Sequence, residues 1–72
     1  MNKALLRSFM IRFGDTQRIL SIAMGLSLSR LNAKINGNGG AEFTQKEISF
    51  IKSRYNLSSS DIDSIFFDEE RS

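Results

Sequence analysis

Signals that start and stop helices divide this chain into five short segments. Serine and threonine caps and glycines recur between stretches whose apolar residues are spaced three and four apart. Proline is absent, and the alternation of apolar and polar residues that is typical of strands is hard to find. With 72 residues, the chain has room for one domain. The sequence therefore predicts a single all-α domain of five helices.

The first two predicted helices are separated by a short loop. The first covers residues 2–13, and Gly14 ends it because glycine accepts the positive φ that often follows a helix. The second covers residues 17–24, and either Asp15 or Thr16 caps its first N–H groups. The side chains predicted to face inward from these helices are Leu6, Phe9, Met10, Phe13, Leu20 and Met24.

A third helix is predicted after a tight turn at Gly25. Ser27 caps this helix, which continues to about Ile35 and is anchored by Leu31 and Ile35. Residues 36–40 are rich in asparagine and glycine, and they form a break too short to link two domains.

The last two helices carry strong local signals. Thr44 and Glu47 form a capping box, in which each side chain accepts from a backbone N–H of the other residue. Ser58 begins a similar, shorter helix. The domain is expected to cover residues 1–67, followed by a frayed acidic tail at 68–72. The side chains predicted to face inward are Ile48, Ile51, Tyr55, Ile62, Ile65 and Phe66.

Composition excludes several classes of function. The chain has no cysteine and no histidine, so disulfides, the usual zinc sites and Ser-His or Cys-His nucleophile pairs are ruled out. We therefore expect no enzyme activity, no metal and no cofactor. Arg7, Ser8 and Arg12 interrupt the apolar start, which argues against a signal peptide, and no run approaches the ~18 apolar residues that cross a bilayer. The expected location is the cytoplasm.

The net charge of +2 hides an asymmetry along the chain. Residues 1–37 carry six basic residues against a single acid, Asp15, which gives a balance of +5. Residues 38–72 carry four basic residues against seven acids, which gives −3. The asymmetry indicates that the basic half meets something anionic, although ordinary solvated charge would produce the same balance.

Residues 16–37 form the most informative segment. Ser21 is small, as required where two helices touch, and Gly25 allows a sharp turn between them. The apolar positions that would fill the wedge between the two helices are Leu20, Met24, Leu26, Leu31 and Ile35.

This segment resembles the helix-turn-helix of the Cro/CI superfamily of phage regulators over all 22 of its positions. The resemblance rests on the Thr16-Gln17 start, the central Gly25 and the closing Asn36-Gly37. The chain length and the GDTQ and EFTQKEI segments are most similar to short phage lysogeny-switch proteins, the modulators of repression that partner a CI repressor. The resemblance implies a five-helix, lambda-repressor-like domain that acts in transcription regulation.

In the superfamily this motif binds DNA, and the resemblance implies which residues would do so here. Gln17 matches a glutamine that holds a phosphate, and Asn36 matches an asparagine that does likewise after the third helix. Leu28 departs from the superfamily, which usually has Gln, Arg or Lys there, because leucine can touch only a thymine methyl. The remaining DNA-facing candidates are Ser29, Asn32 and Lys34.

Three apolar residues break the pattern of a DNA reader. Ile19 and Ile22 occupy positions that are usually charged in the superfamily, and Leu28 lies at or near the same surface. We hypothesise that they bind a protein partner, a CI-type repressor, with Arg18 and Arg30 at the rim. Covering the repressor's recognition helix would block its operator binding. The alternative is that the helix phase is off by one and these residues belong to the core.

Two further interpretations stay open. A Cro-type repressor would bind operator DNA directly as a dimer, with Phe67 as the contact between subunits unless it is a second core phenylalanine. A membrane-surface role would use residues 3–13 as a basic amphipathic helix, but a domain this small needs the apolar face of that helix as core. Lys34 and Lys46 are interpreted as surface charge and Tyr55 as core with its hydroxyl at the rim. No small-molecule ligand is expected.

Overall fold

The computed structural model describes residues 1–67, and their regular structure is entirely helical. The five helices are α1 (Lys3–Arg12), α2 (Gln17–Met24), α3 (Leu28–Asn36), α4 (Gln45–Arg54) and α5 (Ser59–Phe66), with a 3-10 turn at Asn38–Gly40. The predicted all-α class and the five helices are confirmed. The predicted acidic tail, residues 68–72, lies outside the described residues. Within residues 1–67, no helix is long and apolar enough to cross a bilayer.

Side-chain caps begin each of the five helices. Asn2 precedes α1, and its Oδ1 accepts from the backbone N–H of Leu5 at 3.1 Å. Thr16, rather than Asp15, caps α2, and its Oγ1 accepts from the backbone N–H of Ile19 at 3.1 Å. Each cap satisfies an N–H group that has no partner within its own helix, which is why the boundaries fall at these residues.

The predicted capping box begins α4. The Oγ1 of Thr44 accepts from the N–H of Glu47 at 3.2 Å, and Glu47 Oε1 accepts from the N–H of Thr44 at 2.9 Å. Ser58 and Asp61 make the same exchange at the start of α5, at 3.0 Å in both directions. Both helices therefore begin where the sequence pattern predicts.

The hydrophobic core draws residues from all five helices. α1 packs against α5, and the N–H of Asn2 donates to the carbonyl of Ile65 at 2.7 Å. α1 contributes Leu6 and Met10 to the core, so these two side chains are not available to a membrane surface. The buried core residues are Leu6, Met10, Leu20, Leu31, Ile35, Ile51, Tyr55, Leu57, Ile62 and Ile65.

Phe13 is not a core residue, so its predicted inward position is wrong. α1 ends at Arg12, and Phe13 therefore leaves the helical face that carries the buried residues. The ring of Phe13 is half exposed and lies against Tyr55, with 5.3 Å between ring centroids. Leu57, which follows α4, is buried although the helical pattern did not predict it. Side chains predicted as core that are only partly buried against it are Phe9, Met24, Ile48 and Phe66.

A buried carboxylate ties the loop between α1 and α2 to the end of α4. Asp15 Oδ2 accepts from Arg54 Nε at 2.7 Å and from the Tyr55 hydroxyl at 2.6 Å, and Asp15 Oδ1 accepts from Arg54 Nη2 at 3.0 Å. The hydrogen bond from Arg54 lowers the pKa of Asp15 against the opposing effect of burial, and the Tyr55 hydroxyl adds to the lowering. Burial and the bond to Asp15 raise the pKa of Tyr55. The core position of Tyr55 is confirmed, and its hydroxyl is held by Asp15.

Asp15→Asn is expected to lower the free energy of unfolding by about 2–3 kcal/mol at neutral pH, because Arg54 loses its charged partner. Since folding lowers the pKa of Asp15, its charge adds stability above the ordinary aspartate pKa, and that stability is lost as the pH falls below about 4. The difference between wild type and variant should therefore shrink in acid. Denaturant unfolding at several pH values measures it.

Asp63→Asn is the matched control for this experiment, because it removes an exposed carboxylate from α5. This control is expected to change the free energy of unfolding by less than about 0.5 kcal/mol. The same pH dependence in wild type and Asp15→Asn would contradict the role given to Asp15.

Candidate functional site

α2 and α3 are joined by a tight turn. Gly25 ends α2 with φ 73°, a left-handed conformation that glycine adopts without strain. The N–H of Leu26 donates to the carbonyl of Ser21 at 2.9 Å, which closes the turn. Ser27 then caps α3, accepting from the N–H of Arg30 at 3.1 Å. Ser21 is buried, as predicted for the small residue between the helices.

Two of the three unexpected apolar residues are exposed on α2. The exposed fraction is 70% for Ile22 and 44% for Ile19, and their spacing of three places them on one face. Leu28, the first residue of α3, is half-buried. The alternative that the helix phase is off by one is wrong for the isoleucines, because Leu20 and Ser21 are the residues that α2 buries. We refer to Ile19, Ile22 and Leu28 as the apolar patch.

The charged residues of α2 and α3 are all basic. Arg18 and Arg30 are exposed, and they lie in the first turns of α2 and α3. Residues 16–41 contain no aspartate or glutamate. The acid just before them, Asp15, has its carboxylate bound to Arg54. The surface of these helices is therefore positive as well as apolar.

The polar candidates for DNA binding differ in accessibility. Ser29 is exposed, whereas Gln17 and Asn32 are half-buried. Asn36 is exposed at the end of α3, and its Oδ1 accepts from the Nζ of Lys3 at 3.0 Å. A phosphate contact by Asn36 would use its amide nitrogen, because phosphate oxygens only accept hydrogen bonds and the amide oxygen is an acceptor.

Lys34 is a buried structural residue, so its interpretation as surface charge is wrong. The residue is 8% exposed, and its Nζ donates to Glu47 Oε1 at 2.9 Å and to the carbonyl of Glu42 at 3.1 Å. Burial alone would raise the pKa of Glu47, but the bonds from Lys34 and from the Thr44 N–H lower it overall. Glu47 therefore has two roles: it completes the capping box of α4, and it supplies the carboxylate that Lys34 of α3 binds. No local pattern marks this pair, because the two residues are 13 apart and on different helices.

Phe67 lies at a second surface, which aromatic residues dominate. It is 53% exposed, so the alternative that it is a second core phenylalanine is wrong. The ring of Phe66 lies 5.6 Å from that of Phe43 and 6.4 Å from that of Phe67, measured between centroids. These three rings line an open groove of about 540 Å³, together with Met1 and Ile48.

No family model, curated protein or solved structure matches this chain. The Cro/CI resemblance of residues 16–37 therefore stays a prediction that rests on the pattern of those residues. On α2 and α3 the geometry places two exposed isoleucines, the half-buried Leu28, two exposed arginines and a set of polar side chains, and Lys34 is buried.

Lys34→Met is expected to lower the free energy of unfolding by about 1–3 kcal/mol, because the partly buried carboxylate of Glu47 keeps its charge and loses its cation. Lys46→Met, an exposed position on α4, is the control and should change stability by less than about 0.5 kcal/mol. Chemical denaturation of both variants measures the difference. Equal stability of the two would show that the bond between Lys34 and Glu47 contributes nothing.

Proposed function

We propose that this chain is a regulator of a phage genetic switch, a modulator of repression that binds a CI-type repressor through the surface of α2 and α3. Binding blocks the repressor from operator DNA, in the cytoplasm of the bacterial host. The observation that carries the proposal is the exposure of Ile19 and Ile22 on one face of α2. A surface that binds DNA needs polar side chains at such positions, because phosphates and base edges are contacted mainly by hydrogen bonds.

The energetics of the apolar patch favour a protein partner over DNA. Burial of a fully exposed isoleucine or leucine side chain contributes roughly 1.5–3 kcal/mol before the costs of association, and Ile19 and Leu28, which are already partly buried, contribute only part of that. Thymine methyl groups are the main apolar feature that the major groove offers. A protein surface can cover all of Ile19, Ile22 and Leu28, so the gain from their burial is available mainly from a protein.

The mechanism that follows is steric competition. A repressor of this superfamily reads operator DNA by placing a recognition helix in the major groove, which is ~12 Å wide. A folded domain that covers this helix prevents it from entering the groove. The repressor then loses its DNA while staying folded.

Direct operator binding is the alternative function, and one observation favours it. The surface of α2 and α3 presents Ser29, Asn36 and Arg30, and residues 16–41 carry no acid that would repel phosphate. A Cro-type dimer would read two half-sites ~34 Å apart, and the exposed ring of Phe67 is accessible for a contact between subunits. The burial of Lys34 weakens this alternative, because a cation assigned to DNA is already bound to Glu47.

Ile22→Glu is expected to abolish displacement of the repressor from its operator, because it places a charge in the centre of the contact. Fluorescence anisotropy of labelled operator held by purified repressor reports the displacement. Ile11→Glu is the matched control, since Ile11 is 76% exposed on α1 and undergoes the same chemical change. Circular dichroism checks that both variants stay folded. Full displacement by Ile22→Glu would contradict the proposal.

The wild-type protein alone is expected to bind operator DNA weakly and without sequence specificity. Anisotropy of the labelled operator, titrated at two salt concentrations, measures this directly. Tight binding that is specific and falls steeply with salt would make the chain a Cro-type repressor. In that case the apolar patch would serve packing or dimer contacts instead of a repressor.

A further inference from the structure

The charges that remain available on α2 and α3 point to the chemistry of the partner. Lys34 is bound to Glu47, and Asp15 is bound to Arg54. Among residues 1–67 these are the two ion pairs, so Arg18 and Arg30 have no carboxylate partner in the part of the chain that the structure describes. Both arginines are exposed. This surface therefore combines the apolar patch with two guanidinium groups that no carboxylate of residues 1–67 neutralises.

The positions of these arginines are unfavourable in the isolated domain. Each lies in the first turn of its helix, at the positive end of the helix dipole, where an acid is the stabilising choice. Neither helix has an acid in its first turn. An anion from outside would relieve this repulsion, and the guanidinium group binds carboxylates in a planar, bidentate geometry.

Arg30 also borders a groove that can hold a side chain. The groove measures about 480 Å³ and lies between α3 and the segment that follows it. Its walls include the small residues Ala33 and Ala41, with Glu42 also lining it. Glu42 makes no ion pair with Arg30 within the described residues, so the guanidinium group stays available to an incoming anion.

We propose that α2 and α3 recognise a protein surface that is apolar at its centre and carries carboxylates, which Arg18 and Arg30 bind. This inference rests on the proposed function and names the chemistry of the repressor surface. DNA phosphates would also bind the two arginines, but they would leave the exposed isoleucines uncovered. A repressor face that carried only basic residues would repel this surface, so acidic side chains must accompany the recognition helix.

The test compares charge reversals on this surface. Arg18→Glu and Arg30→Glu are titrated with the purified CI-type repressor, and the dissociation constants are compared with wild type. Each reversal is expected to weaken binding about tenfold or more, and Arg18→Gln and Arg30→Gln by less. Wild-type binding should weaken as salt rises. Lys52→Glu, an exposed position on α4, makes the same change in net charge and should bind as wild type does.

A second measurement locates the partner carboxylates. Each acidic residue in the DNA-binding domain of the repressor is changed to arginine in turn, and one such change should restore binding to Arg18→Glu or Arg30→Glu. Restoration by one repressor variant and not by the others supports the inference, because a general charge effect would not be selective.

The possible failures are distinguishable. If wild type binds the repressor and both reversals bind equally well, the inference is wrong and the proposed function stands. If wild type does not bind the repressor, the proposed function fails and the inference fails with it. If the reversals instead abolish a tight, specific interaction with operator duplex, the arginines bind phosphates and the carboxylate assignment is overturned.

Discussion

The bond between the Asp15 carboxylate and Arg54 joins the loop that precedes the second helix to the end of α4. Asp15 is bound to the end of α4, and Thr16, the next residue, caps α2. The cap sets the residue at which α2 begins, and the burial of Leu20 and Ser21 against the rest of the domain sets which face of the helix is turned inward. With Leu20 and Ser21 turned inward, Ile19 and Ile22 face solvent.

Local signals in the sequence predicted much of the fold, because their hydrogen bonds span only three residues. The caps at Thr16 and Thr44 are of this kind, since donor and acceptor are adjacent along the chain and the helix geometry alone brings them together. Contacts between distant segments were not predictable in this way. Lys34 reaches an acid 13 residues away, and Asp15 reaches Arg54 across 39 residues. Such pairs depend on how the helices pack, which periodicity does not determine. The exposure of the isoleucines could be predicted from the helix phase. The burial of Lys34, which removes it from the candidate site, could not be predicted from any local pattern.

A small domain makes the exposure of the apolar patch more informative. A chain of about 60 residues buries only ~60% of the surface that its unfolded form exposes. Each apolar side chain that stays outside the core therefore adds no burial energy to a domain that has little to spare. Ile22 lies in water because α2 turns Leu20 inward, and no shift of one residue would bury Ile22 without exposing Leu20. A partner that covers Ile22 recovers the burial energy that folding leaves unused, and it does so without rearranging the core.

Charge distribution then separates the two ligands that a positive surface could take. A surface built for phosphates would keep its cations accessible, because neutralising several phosphates is what supplies most of the affinity. Here Lys34 is directed inward to stabilise the start of α4, and the accessible cations of α2 and α3 are reduced to Arg18 and Arg30. Two arginines beside exposed isoleucines give little electrostatic affinity for a duplex. They suit a protein contact in which the burial of apolar side chains supplies the free energy of binding and the charges orient the partner. The burial of Lys34 therefore supports the proposed protein partner over nucleic acid, because it leaves fewer accessible cations on α2 and α3.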